Sequence, residues 1–499
     1  MSDGTPSQPS SASTSREPDA LVVGSGPNGL SAAIALAREG LSVQVFEASE
    51  TIGGGARSSR DLDGCVRDVC STAYPAARLS PWFRELDLEA HGVTWVTPPV
   101  AVAHPLDGGR AALLEVGTER RLESLGEDAD AWERLHGPFT ARAAELFAEM
   151  GPLHFPRRAA LMAQFAWKGL RAATSLARSA FRGELARALF AGCAAHSFLP
   201  LEQAGSAAFG LLHVAMAQGA GWPFARGGSQ AISDALAAIL RSLGGTIVTG
   251  RRVDSLAELP RARAILLDLA PEHVARIAGD RLPASYRGKL ERFRRAPAAF
   301  KVDFALDGPI PWAARECERA GVVHVGGTLE EIAESERAAA RPAPGAAPSP
   351  RPFVLVAQPT LFDDTRAPSG RHVAWAYCHV PNGCTVDMTD PIAAQIERFA
   401  PGFRDRVRAR IVTDPAALAR SNANLVGGDI SGGANDLFHL FARPVARLVP
   451  YATPDPSLFL CSSSTPPGGG VHGMSGWFAA RVALARVFGR KLPFLPSRA

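Results

Sequence analysis

An α/β chain with one discontinuous domain and one inserted α+β domain is the fold class this sequence predicts, and three observations carry it. Near the start, the apolar run Ala20-Leu21-Val22-Val23 meets the turn Gly24-Ser25-Gly26-Pro27-Asn28-Gly29 and a helical pattern from Leu30 to Glu39. In the middle, Trp222-Pro223-Phe224-Ala225-Arg226-Gly227-Gly228-Ser229-Gln230 opens a helix through Leu243, followed by strands at 246–248 and 264–268. Near the end, Leu458-Phe459-Leu460 leads through Gly468-Gly469-Gly470 to an amphipathic helix from Phe478 to Phe488. Strand, glycine turn and helix thus recur at both ends of the chain, which suits one sheet fed from separate stretches of sequence.

The first unit is the most specific. Gly24 permits a tight turn, Gly26 lets backbone approach a pyrophosphate, and Gly29 lets the helix sit close on the strand. Helix-start N–H groups then face phosphate charge. Gly40 stops the helix, Val43-Gln44-Val45-Phe46 is the second strand, and Glu47, eighteen residues beyond Gly29, is placed to accept hydrogen bonds from a ribose diol. Ile52-Gly53-Gly54-Gly55-Ala56-Arg57-Ser58 follows, with Arg57 within reach of a phosphate. No second G-x-G-x-x-G βαβ unit exists for a separate nicotinamide nucleotide.

Elsewhere the pattern changes. From Leu125 to about Leu199 it is long, Ala-rich and helical, and from 299 to 330 it alternates like a sheet, clearest at Phe300-Lys301-Val302-Asp303-Phe304-Ala305-Leu306. Residues 338–352, AAARPAPGAAPSPRP, predict an exposed loop, and the Ser-, Thr- and Pro-rich residues 1–18 a disordered tail. Between Phe155 and His196 seven Arg and Lys residues interleave with apolar ones against the single acid Glu184, predicting either an ordinary helical lid or a basic, membrane-facing surface.

Composition bounds the rest. A chain of 499 residues, 46% apolar and 20% charged, is a folded protein of two or more domains, and a net charge of +4 does not indicate nucleic acid. Seven scattered cysteines without C-x-x-C argue against a disulfide framework and against a structural zinc site. No apolar stretch reaches transmembrane length, so the expected location is cytoplasmic, with membrane association as the alternative.

The segments GSGPNGLSAA, ETIGGGARSS, DVCSTAYPAARLSP, WPFARGGSQAISDAL, GGDISGG, FARPV and LFLCSSSTPPGGGVHGMSG resemble the flavoproteins of the phytoene desaturase and carotenoid isomerase group, above all its branch named pyridine nucleotide-disulfide oxidoreductase domain-containing. The resemblance spans most of 20–490, more loosely over 300–420. It implies a Rossmann-type FAD-binding domain of the glutathione reductase/amine oxidase kind at 19–100, 222–298 and 453–490, and a substrate domain at 101–221 and 299–452. For FAD it implies Gly24, Gly26, Pro27, Asn28 and Gly29 at the pyrophosphate and Glu47 at the adenosine ribose. It further implies Gly54, Gly55 and Arg57 along the ribityl phosphate, Val253 at the adenine through its backbone, and Gly469, Gly470, Val471 and His472 near the flavin pyrimidine. Ser462 stands where relatives usually carry glycine, Pro466 where many carry His, and Tyr74 and Trp477 are also departures. The chain between Val253 and Ala264 is shorter than in relatives.

The implied chemistry is hydride transfer to flavin N5 from a hydrophobic, polyene or isoprenoid-like substrate, with electrons passed on to oxygen or a quinone. A redox-neutral double-bond isomerase, an amine oxidase and a non-enzymatic flavoprotein scaffold are the alternatives. Asp429, Tyr74, His472 and Arg443 are the polar residues expected to face substrate. For each a structural role competes: a turn cap for Asp429, a packed ring for Tyr74, a backbone N–H for His472, an ion pair for Arg443.

Overall fold

The computed structural model describes residues 17–117, 122–152, 154–341 and 347–493. Five parallel strands form one sheet in the order Leu458–Leu460, Ala264–Leu267, Ala20–Val23, Val43–Phe46, Thr246–Val248. Both faces of this sheet are covered, so its strands read as continuous apolar runs rather than alternating ones. The three landmarks therefore do converge on one sheet. The helix Pro27–Arg38 buries residues 28 to 37 against Gln230–Ser242 and against Met474–Ala483, the helix that follows the second glycine turn. There a Cβ on Gly476 would overlap the Asn28 carbonyl, so that glycine sets how closely the two helices meet.

A second, seven-stranded sheet runs Val407–Thr413, Ala298–Leu306, His372–Val380, Val354–Ala357, Ala320–Val325, Val100–Leu106, Arg110–Glu115. Neighbours are antiparallel except Ala320–Val325 beside Val100–Leu106. The hairpin at 100–115 was not anticipated from the sequence. Its first strand is buried at every position, so polar–apolar alternation is absent. Helices Ala129–Thr140, Glu184–Ala195 and Ser206–Ala220 build the apolar core between this sheet and the cavity described below.

Two expectations need correction. The stretch 155–196 is not one basic surface: in the helix Glu184–Ala195, Ala186, Ala188, Leu189 and Phe190 are fully buried against the hairpin and Ser206–Ala220. Arg178 is turned to Glu330 and Arg187 to the Phe181 carbonyl, so only the part before about Arg171 offers apolar side chains to solvent. The loop 338–352 begins two residues later than expected, because the helix Leu329–Ala339 carries Ala338 and Ala339 into the core; residues 342–346 lie outside the described residues. Residues 1–16 of the expected tail also lie outside them.

A buried ion network joins the sheets. Arg366, fully buried, donates to Asp68 Oδ2 (2.7 Å), Asp363 Oδ2 (3.0 Å) and the Ala225 carbonyl (2.7 Å). Asp68 in turn accepts from the Ser229 N–H (2.7 Å), from Ser58 Oγ (2.8 Å) and from Thr72 Oγ1 (2.6 Å). The Arg366 charge holds the Asp68 carboxyl below the usual carboxylate range although burial opposes it. Ser229 and the glycines before it are thus a structural joint. Leaving either charge alone would cost about 3–5 kcal/mol.

Candidate functional site

A cavity of about 1050 Å³ runs between the two sheets. One end is a slot of main chain lined by Gly24, Gly26, Pro27, Asn28, Glu47, Gly54, Gly55, Arg57 and Val253, and by Gly469, Gly470, Val471 and His472 from the second turn. It lies at the carboxyl ends of parallel strands, where open α/β sheets hold ligands. Gly29 stands behind the slot: its Cβ would overlap the Gly24 carbonyl oxygen, so close helix–strand contact is what it supplies. A Cβ on Gly26 would lie 2.7 Å from Asp268 Oδ2, closing the slot.

Glu47 Oε2 accepts from the Ser25 N–H (2.9 Å) and Oγ (2.6 Å), and Oε1 from the Ser49 N–H (2.8 Å). A carboxylate has about four lone-pair sites, so about one remains for a hydroxyl in the slot. Arg57 donates to the Gly54 carbonyl (2.9 Å), to Ser49 Oγ (3.0 Å) and to the Ser421 carbonyl (2.6 Å), which makes it a brace for the glycine loop as well as a cation at the slot.

Asp268 was not foreseen as a site residue. It ends the strand Ala264–Leu267 beside the first turn, and its Oδ2 accepts the Gly29 N–H at 2.9 Å. Burial pushes its carboxyl up to about 7, the Gly29 N–H opposing and Glu47 adding to the rise. The available signal was its place: an acid immediately after a buried strand of a parallel sheet sits where ligands bind.

The four polar candidates separate. Arg443 does not line the cavity; it is buried and donates to the carbonyls of Gly432 (2.6 Å), Ser463 (3.0 Å) and Ser464 (3.2 Å) and to Asn435 Oδ1 (3.2 Å). It therefore fastens three motif segments together instead of meeting substrate, because one planar guanidinium reaches the main-chain oxygens of separate loops at once. Asp429 lines the cavity with both oxygens engaged, by Ser431 N–H and Oγ (2.9 Å each), the Ala296 N–H (3.3 Å) and Arg295 (3.6 Å). The Tyr74 hydroxyl donates to the Ser71 carbonyl at 2.7 Å, and burial pushes it up. His472 Nδ1 accepts the Met474 N–H at 3.1 Å, which leaves Nε2–H to face the Gly468 carbonyl at 3.2 Å. Burial lowers this imidazole to about 4, so it is neutral.

Beyond the slot the cavity becomes a chamber of side chains: Phe147, Phe165, Met216, Trp222, Trp375 and Tyr377 among others. Trp375 and Tyr377 form an edge-to-face pair with centroids 5.1 Å apart. Two histidines face the same space. His213 Nδ1–H donates to the Phe209 carbonyl at 2.8 Å, its ring stacks on His196 at 4.5 Å, and His196 Nε2 meets His324 Nε2 at 3.1 Å. Burial lowers His213 to about 4 and His196 below its ordinary range as well. Neither was singled out from the sequence, where they sit in Ala-rich helices without a motif.

Slot and chamber together belong to an α/β fold with a Rossmann-like nucleotide-binding unit. Known proteins place it further. A model of the NAD(P)-binding Rossmann-like domain matches residues 22–86. The chain is 26% identical to pyridine nucleotide-disulfide oxidoreductase domain-containing protein 2 of Rattus norvegicus over 551 residues, 93% of each chain. Over 107 residues, 21% of this chain and 19% of the other, it is 32% identical to a limonene dehydrogenase polypeptide of Castellaniella defragrans. The structure of putrescine oxidase bound to putrescine matches with a TM-score of 0.60 at 17% identity, across 95% of this chain and 99% of that one. The chain therefore shares its overall fold with that putrescine oxidase.

Proposed function

We propose that this protein is an FAD-dependent oxidoreductase of the phytoene desaturase-like kind, removing hydride from a hydrophobic, isoprenoid- or polyene-like substrate. One observation carries the reading: the glycine-lined slot is continuous with a deep, mainly apolar chamber whose carboxylates among the described residues, Glu149 and Asp429, are already engaged. The limonene dehydrogenase likeness supports the substrate class.

The slot residues fit FAD. Gly24, Gly26 and the Asn28 N–H at the helix start, where Asp268 already takes the Gly29 N–H, would hold its diphosphate, Glu47 its ribose, and the Gly469–Gly470 turn its ring end. When bound, FAD supplies the hydride acceptor. The protein's part is orientation and exclusion of water: the aromatic and aliphatic walls fix an apolar chain by shape. His472 serves through its main chain, since both ring nitrogens are already engaged. Neutral His213, with its Nδ1–H given to the Phe209 carbonyl, keeps Nε2 on the chamber wall as the acceptor that would take the proton leaving the substrate.

Amine oxidation is favoured by the Trp375–Tyr377 pair and by the fold of putrescine oxidase. It is opposed by Lys301, whose ammonium already lies 5.5 Å from the centre of the Trp375 ring and is paired with buried Asp303. A cationic amine would find the Trp375 ring already facing the Lys301 ammonium and the Glu149 and Asp429 carboxylates already engaged.

Anaerobic titration of the purified, FAD-reconstituted protein tests this. Isoprenoid alkenes or polyenes should bleach the flavin band and yield a product two hydrogens lighter. Bleaching by alkylamines alone, an unchanged product mass, or failure to take up FAD each overturns it.

A further inference from the structure

Among the described residues eight large apolar side chains are exposed, and five of them, Phe155, Trp167, Leu170, Phe438 and Leu448, come from segments that also line the cavity. Such grouping is unlike the single scattered exposures of ordinary surfaces. Their fractional exposures run from 51% at Leu170 to 93% at Leu448.

The segments that bear the five adjoin one another in a ring of contacts beside the cavity. Phe155 leads into the helix Ala159–Gly169, which bears Trp167 and ends at Leu170. The Leu170 carbonyl accepts the Gly205 N–H at 3.1 Å, and a Cβ on Gly205 would lie 2.8 Å from Leu437, the neighbour of Phe438. From there the chain passes Leu440, in the cavity wall, to Leu448 and Tyr451. The Tyr451 ring stacks on Phe478 at 5.7 Å, and a Cβ on Gly151 would lie 3.0 Å from Phe478, which returns the circuit to the segment before Phe155.

Charge selects the occupant. Residues 154–171 hold Arg157, Arg158, Lys168 and Arg171 and no acid. The carboxylates beside the ring are engaged: Glu149 by His154 and the N–H groups of Arg157 and Arg158, Glu145 by Arg158, Asp436 by Arg294 and two helix N–H groups. No helix among the described residues is long and apolar enough to cross a membrane, so any contact lies in one leaflet.

We infer that this ring docks the protein on an anionic lipid bilayer, with the aromatic and leucine side chains entering the acyl boundary and the arginines meeting lipid phosphates. The chamber mouth then opens into the apolar phase, where an apolar substrate is concentrated; that last step rests on the proposed function, while lipid binding does not.

Sedimentation of the full chain with extruded vesicles tests it. Vesicles of phosphatidylcholine with about one quarter phosphatidylserine should pull down the protein at low salt, and phosphatidylcholine alone much less. Phe155→Ser with Trp167→Ser, both on exposed positions, should lower the bound fraction more than tenfold while the melting temperature stays unchanged. A wild-type chain that remains in the supernatant at low salt overturns the inference. So does a double variant that binds as well as wild type, or one that loses only a concentration-dependent self-association, which would make the ring an interface between copies.

Discussion

The slot and the chamber are two halves of one cavity built on opposite principles. The slot is made of main chain, and its shape depends on side chains that are missing: at Gly26 and Gly29 even a methyl group meets Asp268 or the Gly24 carbonyl. The chamber is made of side chains sent from distant stretches, with Phe147, Trp222 and Trp375 arriving from three separate parts of the chain. A backbone-made site admits few sequences. A side-chain-made site admits many, because a wall of similar volume can be rebuilt from other residues. That difference explains how one fold is shared with a putrescine oxidase at 17% identity without fixing what enters the chamber.

The most damaging test falls on the slot. Gly29→Ala adds one carbon where the Gly24 carbonyl stands, with the Asp268 carboxylate at 3.0 Å as well. It should destabilise the fold by about 3 kcal/mol or more and abolish retained flavin absorbance. Met216→Leu, a change of similar size in the chamber wall, should leave flavin content unaltered and cost under about 1.5 kcal/mol. Equal flavin content in the two variants would erase the contrast.

A second test sharpens the electrostatics of the slot. Asp268 ionises at about 7 in the folded chain against 3.8 for an ordinary aspartate. A raised acid carries no penalty below its unfolded value; the penalty grows as pH rises and is complete above the folded value. Across that window it amounts to about 4 kcal/mol. Asp268→Asn keeps an acceptor for the Gly29 N–H and removes the charge. Its melting temperature should equal that of wild type near pH 4 and exceed it increasingly up to about pH 7, with a plateau beyond. A gap that is constant with pH would show that the carboxyl is not held neutral there.

The same division governs what could be read in advance. Glycine spacing announced the slot because its requirement is steric and local, and the parallel sheet followed from two strand–turn–helix units and the helix–strand stretch between them. The strand Val100–Leu106 of the hairpin and the buried strands Val354–Ala357 and His372–Val380 gave no period, since both faces are covered. Arg443 and Asp429 carry motif status for what they hold together, and nothing in their neighbours' identities distinguishes a loop fastener from a group facing substrate. The two chamber histidines were silent because an imidazole in an Ala-rich helix looks the same whether it faces a cavity or a core.

The finest test asks whether those histidines do more than fill space. With Nδ1–H given to the Phe209 carbonyl, neutral His213 keeps Nε2 as an acceptor on a ring that lines the cavity. His213→Phe preserves the ring and its stack on His196 and deletes that lone pair. For a substrate bearing a hydroxyl or N–H at this depth, one neutral hydrogen bond, about 1 kcal/mol, should appear as a roughly fivefold rise in KM. For a pure hydrocarbon the same variant should bind as well as wild type or slightly better, since a buried acceptor no longer goes unmet. The ratio of the two effects, measured by flavin bleaching, tells whether the chamber reads its ligand by shape alone or by shape with one polar contact.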